Sequence, residues 1–286
     1  MKVALNLFER LQSELDPIEK GMQSYCSNLY SNEKHSPYLI IIPAYNEAES
    51  IEYVAQQLPE FVMGERPEII VIDDGSTDRT PDITRTLTTT SRKINCVSSP
   101  VNRGQGASLR TGYLAAIANN FSVVAIIDAD GQWSPHDLEA VMKPVINGNA
   151  DLCQGSRRLG ETHVGDRFRD LGVTFFARLI SIVTRSNVTD TSSGVRAISV
   201  GLLKNIRLTQ PQYQSSELLI GALLQGGRLV EIPVVMESRY GGLSKKGRNL
   251  KYAIAYSKVV AYTTIRESSI HLLRLDKSKG ANDHTT

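Results

Sequence analysis

The stretch Val123-Val-Ala-Ile-Ile-Asp-Ala-Asp-Gly-Gln132 decides how the rest of the chain is interpreted. Its five leading apolar residues, mostly β-branched, predict a strand that is buried on both faces. Two aspartates, Asp128 and Asp130, follow directly at the end of that strand. They flank a single residue, so both carboxylates can reach one hard cation such as Mg²⁺ or Mn²⁺.

Similar units precede this stretch. Apolar runs predict three further strands, and the segments that follow them have helical spacing. The strands are expected at 38–42, 68–72 and 94–97, and the helices at 49–58, 80–88 and 106–118. Strands that are apolar on both faces and alternate with helices predict an α/β fold, with a Rossmann-like, mainly parallel sheet and helices on both faces. Ligands of such sheets bind beyond the carboxyl ends of the strands.

The loops after the predicted strands are rich in acidic residues. Pro43-Ala-Tyr-Asn-Glu47 follows the first strand, and Asp73-Asp-Gly-Ser-Thr-Asp78 follows the second. In a single loop, Asp and Asn commonly cap helices, and Asp78 could open the next helix in this way. Three acidic loops at corresponding strand ends favour a functional site over helix capping, because clustered carboxylates repel one another unless a cation or hydrogen-bond donors offset them.

The segment Asn102-Arg-Gly-Gln-Gly-Ala107 is not a dinucleotide fingerprint, because it lacks the GxGxxG spacing and follows the third strand rather than the first. It is not a P-loop either, because no Gly-Lys-Ser/Thr follows. It predicts a tight turn into a helix, whose N-terminus could favour an anion.

The composition of the 286-residue chain excludes several classes of protein. Apolar residues make up 41% and charged residues 22%, which is typical of soluble globular proteins. The net charge of +2 gives no indication of nucleic-acid binding. Three separated cysteines (Cys26, Cys96 and Cys153) exclude a disulfide framework and a Cys-rich zinc site. We find no apolar run long enough to span a bilayer and no secretion signal, and therefore expect a cytoplasmic protein.

Taken in order, the stretches at 42–47, 71–78, 102–107 and 128–132 resemble glycosyltransferase family 2, which has the nucleotide-sugar-binding GT-A fold. Further stretches resemble its dolichyl-phosphate mannosyltransferase, or polyprenyl-phosphate glycosyltransferase, branch. These are Gly155-Ser-Arg157, Asp190-Thr-Ser-Ser-Gly194 with Arg196, and Arg239 with Ser244-Lys245. The resemblance implies a single GT-A domain at 38–265, after an N-terminal extension at 1–37 and before a C-terminal tail at 266–286.

The resemblance also implies roles for individual residues. Asp128 and Asp130 match the DxD motif that binds the metal, Mg²⁺ or Mn²⁺, and the donor diphosphate, and Gln132 matches a further metal contact. Arg157 and Arg169 match the arginines that receive the acceptor phosphate, which completes the expected catalytic set. The remaining matches are donor-binding: Pro43, Tyr45, Glu47 and Asp74 at the nucleoside, with Arg239 and Lys245 in a basic loop that closes over the phosphates.

The activity implied by the resemblance is inverting, metal-dependent transfer of a hexose, mannose or glucose, from a GDP- or UDP-linked sugar to a polyprenyl phosphate. Such an acceptor is already ionised at neutral pH and needs no general base. Two alternatives stay open. One is a family 2 enzyme acting on a soluble hydroxyl, with Asp190 as the candidate base. The other is a non-catalytic nucleotide-sugar-binding protein, which would not need the Asp128/Asp130 pair together with the arginines.

Two flanking segments predict helices of their own. The first has helical spacing of apolar residues followed by a polar stretch from Ser24 to Lys34, and such a helix packs on the main domain or contacts a membrane or a second copy. Its apolar residues are Leu5, Phe8, Leu11, Leu15 and Ile18. The second, 239–266, has seven basic residues and no acidic one. It is typical of a solvated helix face, a mobile basic lid or a helix on an anionic membrane.

On the membrane interpretation, the protein attaches peripherally to the cytosolic face of the bilayer. The residues expected to face it are the basic Arg248, Lys251, Lys258 and Arg266 and the apolar Leu250, Ile254, Val259, Val260, Tyr262 and Ile265.

Overall fold

The computed structural model describes residues 17–31, 35–88, 94–163, 167–240 and 256–268, with the backbone alone for 167–171. The apolar stripe from Leu5 to Leu15, Lys245 and the tail beyond 268 lie outside the described residues. The division of the chain into an extension, a domain and a tail therefore stays a prediction.

One sheet of seven strands organises the described residues. The strands are β1 Tyr38–Ala44, β2 Glu68–Asp73, β3 Ile94–Ser98, β4 Val123–Ile127, β5 Leu152–Thr162, β6 Val195–Ser199 and β7 Leu229–Met236. Their order across the sheet is β3-β2-β1-β4-β6-β5-β7. All four strands predicted from apolar runs are present, within one or two residues of the expected bounds.

The sheet is mixed rather than uniformly parallel. β1 pairs in parallel with both β2 and β4, and β2 pairs in parallel with β3. β6 runs antiparallel between β4 and β5, which brings its beginning to the end of β4. There the amide of Asp128 donates to the carbonyl of Gly194 at 3.0 Å. The antiparallel strand thus delivers the segment before it to the same sheet edge as the acidic loops.

Helices cover both faces of the sheet, as predicted. They are α1 Pro17–Asn28, α2 Ile51–Gln57, α3 Thr80–Leu87, α4 Gln105–Ala118, α5 Leu138–Ile146, α6 Arg167–Thr184, α7 Val200–Leu203, α8 Gln214–Leu224 and α9 at 256–268. Successive side chains of a strand point to opposite faces. Accordingly, Leu39 and Ile41 of β1 pack in one apolar core with α4 and α8, whereas Ile40 and Ile42 pack in a second core with α2 and α5.

The first described helix differs from its predicted position. We expected residues from Ser24 onward to form a polar stretch, but α1 extends to Asn28. Met22, Cys26 and Tyr30 recur every four residues and are buried in the core that contains α4, whereas Ser24 faces solvent. The apolar stripe therefore continues beyond Ile18, and between residues 17 and 28 the helix packs on the main domain.

Two expectations for α9 are wrong. Val260 was expected to face a membrane but is buried in the core. Arg266, expected to contact lipid headgroups, donates instead to the buried carboxylates of Glu217 and Glu267, each at 2.9 Å. An ion pair of this kind anchors α9 to α8 and leaves the guanidinium little exposed. Within the described ranges, no helix combines the length and apolar character needed to cross a bilayer.

Candidate functional site

A cavity of about 430 Å³ opens at the carboxyl ends of β1, β2 and β4, where the sequence directed attention. Several residues predicted to bind the donor or metal line it together: Pro43, Tyr45, Glu47, Asp74, Asp128, Asp130 and Arg239. These residues come from the end of β1 and from loops spread over almost 200 positions of the chain, and the sheet topology brings them to one place.

The loops after β1 and β2 hold each other in position. The side-chain oxygen of Asn46 accepts from the amide of Thr77 at 2.7 Å, and the Asn46 amide donates to Ser76 Oγ at 2.8 Å. Asn46 has a φ of 52°, a left-handed conformation that asparagine tolerates better than most residues. Asp78 accepts from the amide of Thr80, the first residue of α3, and from the amide of Ala48, so this carboxylate joins the start of the helix to the loop after β1.

Asp74 is bound by the loop before α4. Its two carboxylate oxygens accept from the backbone amides of Arg103 and Gly104, at 3.0 and 2.7 Å. Burial raises the pKa of Asp74, and the two amides act in the opposite direction. A Cβ at Gly104, which has a φ of 92°, would lie 2.4 Å from the Pro211 carbonyl oxygen. Glycine is therefore required for the loop to pass between Asp74 and Pro211.

Backbone amides at the N-terminus of α4 donate to carbonyl groups of the protein. Gly106 donates to the Pro211 carbonyl at 2.8 Å, and Ala107 donates to the Gly104 carbonyl at 2.9 Å. The geometry therefore gives no support to the expected anion site at this helix end.

The two aspartates after β4 have different contacts. Asp128 accepts a hydrogen bond from Gln105 Nε2 at 2.7 Å. Asp130 is largely buried; one of its oxygens accepts from the Gln132 amide at 3.1 Å, and the other accepts from the guanidinium of Arg239 at 3.1 Å. Both carboxylates nevertheless line the cavity.

Arg239, which follows β7, joins two of the predicted site residues. Its guanidinium lies 3.2 Å from Glu47 and 3.1 Å from Asp130. Burial disfavours the charged form, but the two carboxylates outweigh it and raise the pKa of Arg239. The neighbouring Tyr240 stacks on Tyr53 of α2, with ring centroids 4.6 Å apart. These contacts hold the segment after β7 against α2 and the loops that follow β1 and β4. Lys245 lies outside the described residues.

The donor atoms at this position suit a divalent metal. Carboxylate oxygens are the ligands of Mg²⁺ and Mn²⁺, and Mg²⁺ usually takes one or two of them together with substrate phosphates. The contact between the guanidinium of Arg239 and Asp130 shows that a positive charge fits beside this carboxylate. Three or more His, Cys, Asp and Glu side chains do not form a metal-binding group anywhere in the described parts of the chain. Asp128 and Asp130 would therefore hold a metal jointly with a bound diphosphate.

The side chain of Gln132 is bonded to the segment after β7. Its amide nitrogen donates to the Glu237 carbonyl at 3.2 Å, and the residue does not line the cavity. Its expected metal contact stays a prediction.

Arg157 and Asp190 form a buried pair beside the cavity. Arg157 donates to both oxygens of Asp190, at 2.8 and 2.9 Å, and to Ser192 Oγ at 2.6 Å. Burial alone would raise the pKa of Asp190, but the bonds from Arg157 lower it overall. Neither member of the pair is among the described residues that line the cavity. The pairing disfavours Asp190 as a general base and gives Arg157 a structural partner.

Arg169 lies near the start of α6, and only its backbone is described. Arg196 is buried and donates to the carbonyls of Ser193 and Ser215. Burial lowers the pKa of Arg196.

Sequence reasoning missed one wall of the cavity. This wall is formed by Ser108, Ser192, Tyr213, Ser215, Ser216 and Tyr256. Tyr256 of α9 and Ser216 of α8 are joined through their hydroxyl groups. Ser192 lies in the stretch from Asp190 to Gly194 that carries the resemblance, but the resemblance gave it no role. The other serines and tyrosines have no spacing or composition that marks a site. The one signal that could have been used is the pair of glycines on either side of Gln105. Glycines permit another backbone segment to come close, and here that segment is the one that contains Pro211, just before Tyr213.

Solved structures with similar architecture include glucosyl-3-phosphoglycerate synthase from Mycobacterium tuberculosis in complex with Mn²⁺, uridine diphosphate and glucosyl-3-phosphoglycerate. Its TM-score is 0.61 at 22% identity, over 86% of this chain and 84% of that chain. This likeness, together with the sheet described above, confirms the predicted α/β GT-A fold.

Sequence comparison gives the family. A UDP-N-acetylglucosamine–dolichyl-phosphate N-acetylglucosaminyltransferase of Methanococcus voltae is 30% identical, over 68% of this chain and 83% of that protein. An undecaprenyl-phosphate mannosyltransferase of Micrococcus luteus is 28% identical, over 72% of this chain and 86% of that protein. The model of the family described as glycosyl transferase family 2 matches residues 39–207. The chain therefore belongs to glycosyl transferase family 2 and is a glycosyltransferase, as the DxD and Asp-Asp-Gly-Ser stretches predicted.

Proposed function

We propose that this glycosyltransferase transfers a hexose, mannose or glucose, from a GDP- or UDP-linked sugar to a polyprenyl phosphate, with inversion and with Mg²⁺ or Mn²⁺. The observation that carries the proposal is the meeting of Asp128, Asp130, Asp74 and Arg239 at one cavity. Two relatives named for sugar transfer to lipid phosphates support the acceptor class.

The donor half of the reaction needs the diphosphate to be neutralised as it leaves. A metal held by Asp128 and Asp130 would supply positive charge to the phosphate oxygens. Arg239 adds a second cation at the same end of the cavity, held by Glu47 and Asp130. A planar guanidinium suits phosphate because it can form two parallel hydrogen bonds. Tyr45 and Asp74, on the same cavity wall, are proposed to contact the nucleoside.

The acceptor half requires no proton transfer when the acceptor is a phosphate. An ionised phosphate oxygen attacks the anomeric carbon, the bond from that carbon to the diphosphate oxygen breaks, and the electron pair leaves with the nucleoside diphosphate. A hydroxyl acceptor would need a general base. The carboxylate considered for that role, Asp190, has both oxygens bonded to Arg157. This pairing favours the phosphate acceptor.

An exposed apolar face supports access to a lipid carrier. On α6, Phe175 and Ile182 are 63% and 76% exposed, and Leu179 lies between them on the same helix face. On α9, Tyr262 and Ile265 are exposed beside Lys258. The two helices pack together through Phe176 and Tyr256, whose ring centroids are 4.4 Å apart. Apolar side chains combined with a basic one are typical of peripheral attachment to an anionic bilayer, here on the cytosolic face.

The test is product formation from a matrix of substrates. The protein is incubated with Mn²⁺ or Mg²⁺, with GDP-mannose, UDP-glucose or UDP-N-acetylglucosamine, and with a short polyprenyl phosphate or 3-phosphoglycerate. Formation of a glycolipid that stops on chelation supports the proposal. Transfer only to the soluble acceptor contradicts the lipid assignment, and nucleotide binding without turnover contradicts catalysis.

A further inference from the structure

A buried carboxylate in α1 contacts the loop beside the donor cavity. Glu19 is 2% exposed and accepts from Arg103 at 3.0 Å and from Arg110 at 2.9 Å, with a second, shorter bond from Arg110 Nε. A charge this deeply buried is tolerated only when it is paired and hydrogen-bonded. The helix that carries it lies before residues 39–207, the part matched to the family.

Arg103 connects Glu19 to the cavity through its two ends. Its guanidinium binds Glu19, whereas its backbone amide donates to Asp74 at 3.0 Å. The next amide, of Gly104, donates to the other oxygen of Asp74 at 2.7 Å. The loop from Asn102 to Gly104, together with Gln105 at the start of α4, is thus held from α1 on one side and from the end of β2 on the other.

This loop forms part of the cavity itself. Asn102, Gly104 and Gln105 line the cavity, and Gln105 Nε2 donates to Asp128 at 2.7 Å. A continuous series of contacts therefore runs from Glu19 through Arg103 and Gln105 to the first aspartate of the DxD motif.

We propose that Glu19 is a positioning residue for the nucleotide-binding site, an inference that rests on the proposed function. Its charge holds the side chain of Arg103 and thereby the backbone amides that Asp74 requires. Without that negative charge, the positive guanidinium groups of Arg103 and Arg110 lie close together, and the carboxylate that offsets their repulsion is lost. Arg103 is the one able to leave, because it lies in a loop, and its movement displaces Asn102, Gly104 and Gln105 from the cavity wall.

If Glu19 had a purely structural role, it would only anchor α1 to the domain and would not position the loop beside the cavity. Arg110 allows these two roles to be separated. Arg110 also binds Glu19, but it lies within α4 and its remaining described bond goes to the Leu208 carbonyl. Arg110→Met therefore weakens the same buried cluster without releasing the loop. Arg103→Met releases the loop directly.

The experiment measures amide hydrogen exchange of residues 99–106 and the affinity for UDP and GDP, each with Mn²⁺, in the full chain. In Glu19→Gln and Arg103→Met, we expect faster exchange at Arg103 and Gly104 and nucleotide binding weakened about tenfold. Arg110→Met lowers the melting temperature but leaves both readouts near wild type. Combining Glu19→Gln with Arg103→Met adds little to either single change, because both act on one interaction. Glu19→Asp, which keeps the charge, restores part of the affinity.

All variants are compared at the same interval below their own melting temperatures, so that global destabilisation is not mistaken for loop release. Unchanged exchange and unchanged affinity in Glu19→Gln overturn the inference, even if its melting temperature falls. If the wild-type protein binds neither nucleotide, the proposed function fails separately. Amide exchange then still decides whether Glu19 holds the loop.

Discussion

The aspartates after β4 and the pair formed by Arg157 of β5 and Asp190, before β6, have opposite surroundings. Asp128 and Asp130 line a cavity, and the cation that contacts Asp130 is Arg239, which lines the same cavity. Arg157 and Asp190 face each other in the interior, with exposures of 4% and 0%. Both groups looked like ligand-binding residues in the sequence. The difference shows that the local sequence around a charged residue does not decide whether its side chain lines a cavity or is paired in the interior.

The two regions should therefore respond differently to mutation. Carboxylates in a cavity contribute to function while adding little to stability, because they are held at some electrostatic cost. Removing one partner of a buried pair leaves an uncompensated charge, which is strongly destabilising. Activity and stability measured side by side can separate the two kinds of site.

The largest effect is expected at the cavity. Asp130→Ala should lower turnover more than about 100-fold, because it removes a charged metal ligand worth several kcal/mol in the transition state. Its melting temperature should stay close to that of the wild type. Glycolipid synthesis and thermal unfolding are measured together. Asp151→Ala, which breaks the exposed pair with Arg228 at the start of β5, is the control and should keep its activity. Near-normal turnover of Asp130→Ala, with metal still required, would contradict the metal assignment.

The next effect concerns the buried pair. Arg157→Met should destabilise the protein by about 3–5 kcal/mol, because Asp190 is left buried without its partner. Chemical denaturation at pH 7 gives the size of the loss. The double variant Arg157→Met with Asp190→Leu, which removes both charges, should recover part of it. A stable Arg157→Met protein that has lost only acceptor affinity would show that Arg157 belongs to the site instead.

The same pair predicts that the contribution of Asp190 to stability depends on pH in opposite directions in the wild type and in Arg157→Met. In the wild type, Arg157 holds the pKa of Asp190 below its ordinary value, so the stabilisation is complete at neutral pH and is lost only as the pH falls below about 3.9. In Arg157→Met, burial without a partner raises the pKa of Asp190, and protonation relieves the cost as the pH falls. The variant should therefore gain stability relative to wild type between pH 7 and pH 5. Denaturation midpoints that differ by a constant amount over this range would contradict the argument.

The fold, and the meeting of the residues from the loops after β1, β2 and β4 at one cavity, were predictable because their signals are local. A continuous apolar run such as Val123–Ile127 identifies a buried strand, and the acidic residues that follow it must lie at its carboxyl end. The surroundings of Arg157 depend on Asp190, 33 positions away, and on the antiparallel placement of β6, which no local pattern specifies. The role of Glu19 was hidden for the same reason, since Arg103 and Arg110 are more than 80 positions distant.

A smaller effect is expected for Arg169, which we propose receives the acceptor phosphate. Arg169→Ala should raise the KM for polyprenyl phosphate about 10- to 100-fold, which corresponds to one charged hydrogen bond, while the KM for the nucleotide sugar stays nearly constant. Initial rates with each substrate varied in turn provide the measurement. Arg185→Ala, at an exposed position just after α6, is the matched control. A change confined to the nucleotide-sugar KM would move Arg169 to the donor side.

The smallest effect concerns attachment to the bilayer. Here we compare two exposed apolar residues, one on the proposed membrane face and one elsewhere on the surface. Ile182 on α6 belongs to the proposed membrane face, whereas Phe61, 54% exposed between α2 and β2, does not. Wild-type protein should co-sediment with anionic vesicles at low salt and dissociate at high salt, because a Debye length of about 8 Å at physiological ionic strength screens each basic residue's contribution of about 1 kcal/mol. Ile182→Glu should reduce partitioning about tenfold, since one apolar side chain no longer enters the interface, and Phe61→Glu should leave it unchanged. Equal losses in both variants would refute the assignment of this face. Absence of binding at low salt would favour a soluble acceptor, because the enzyme would then have no means of meeting a lipid carrier.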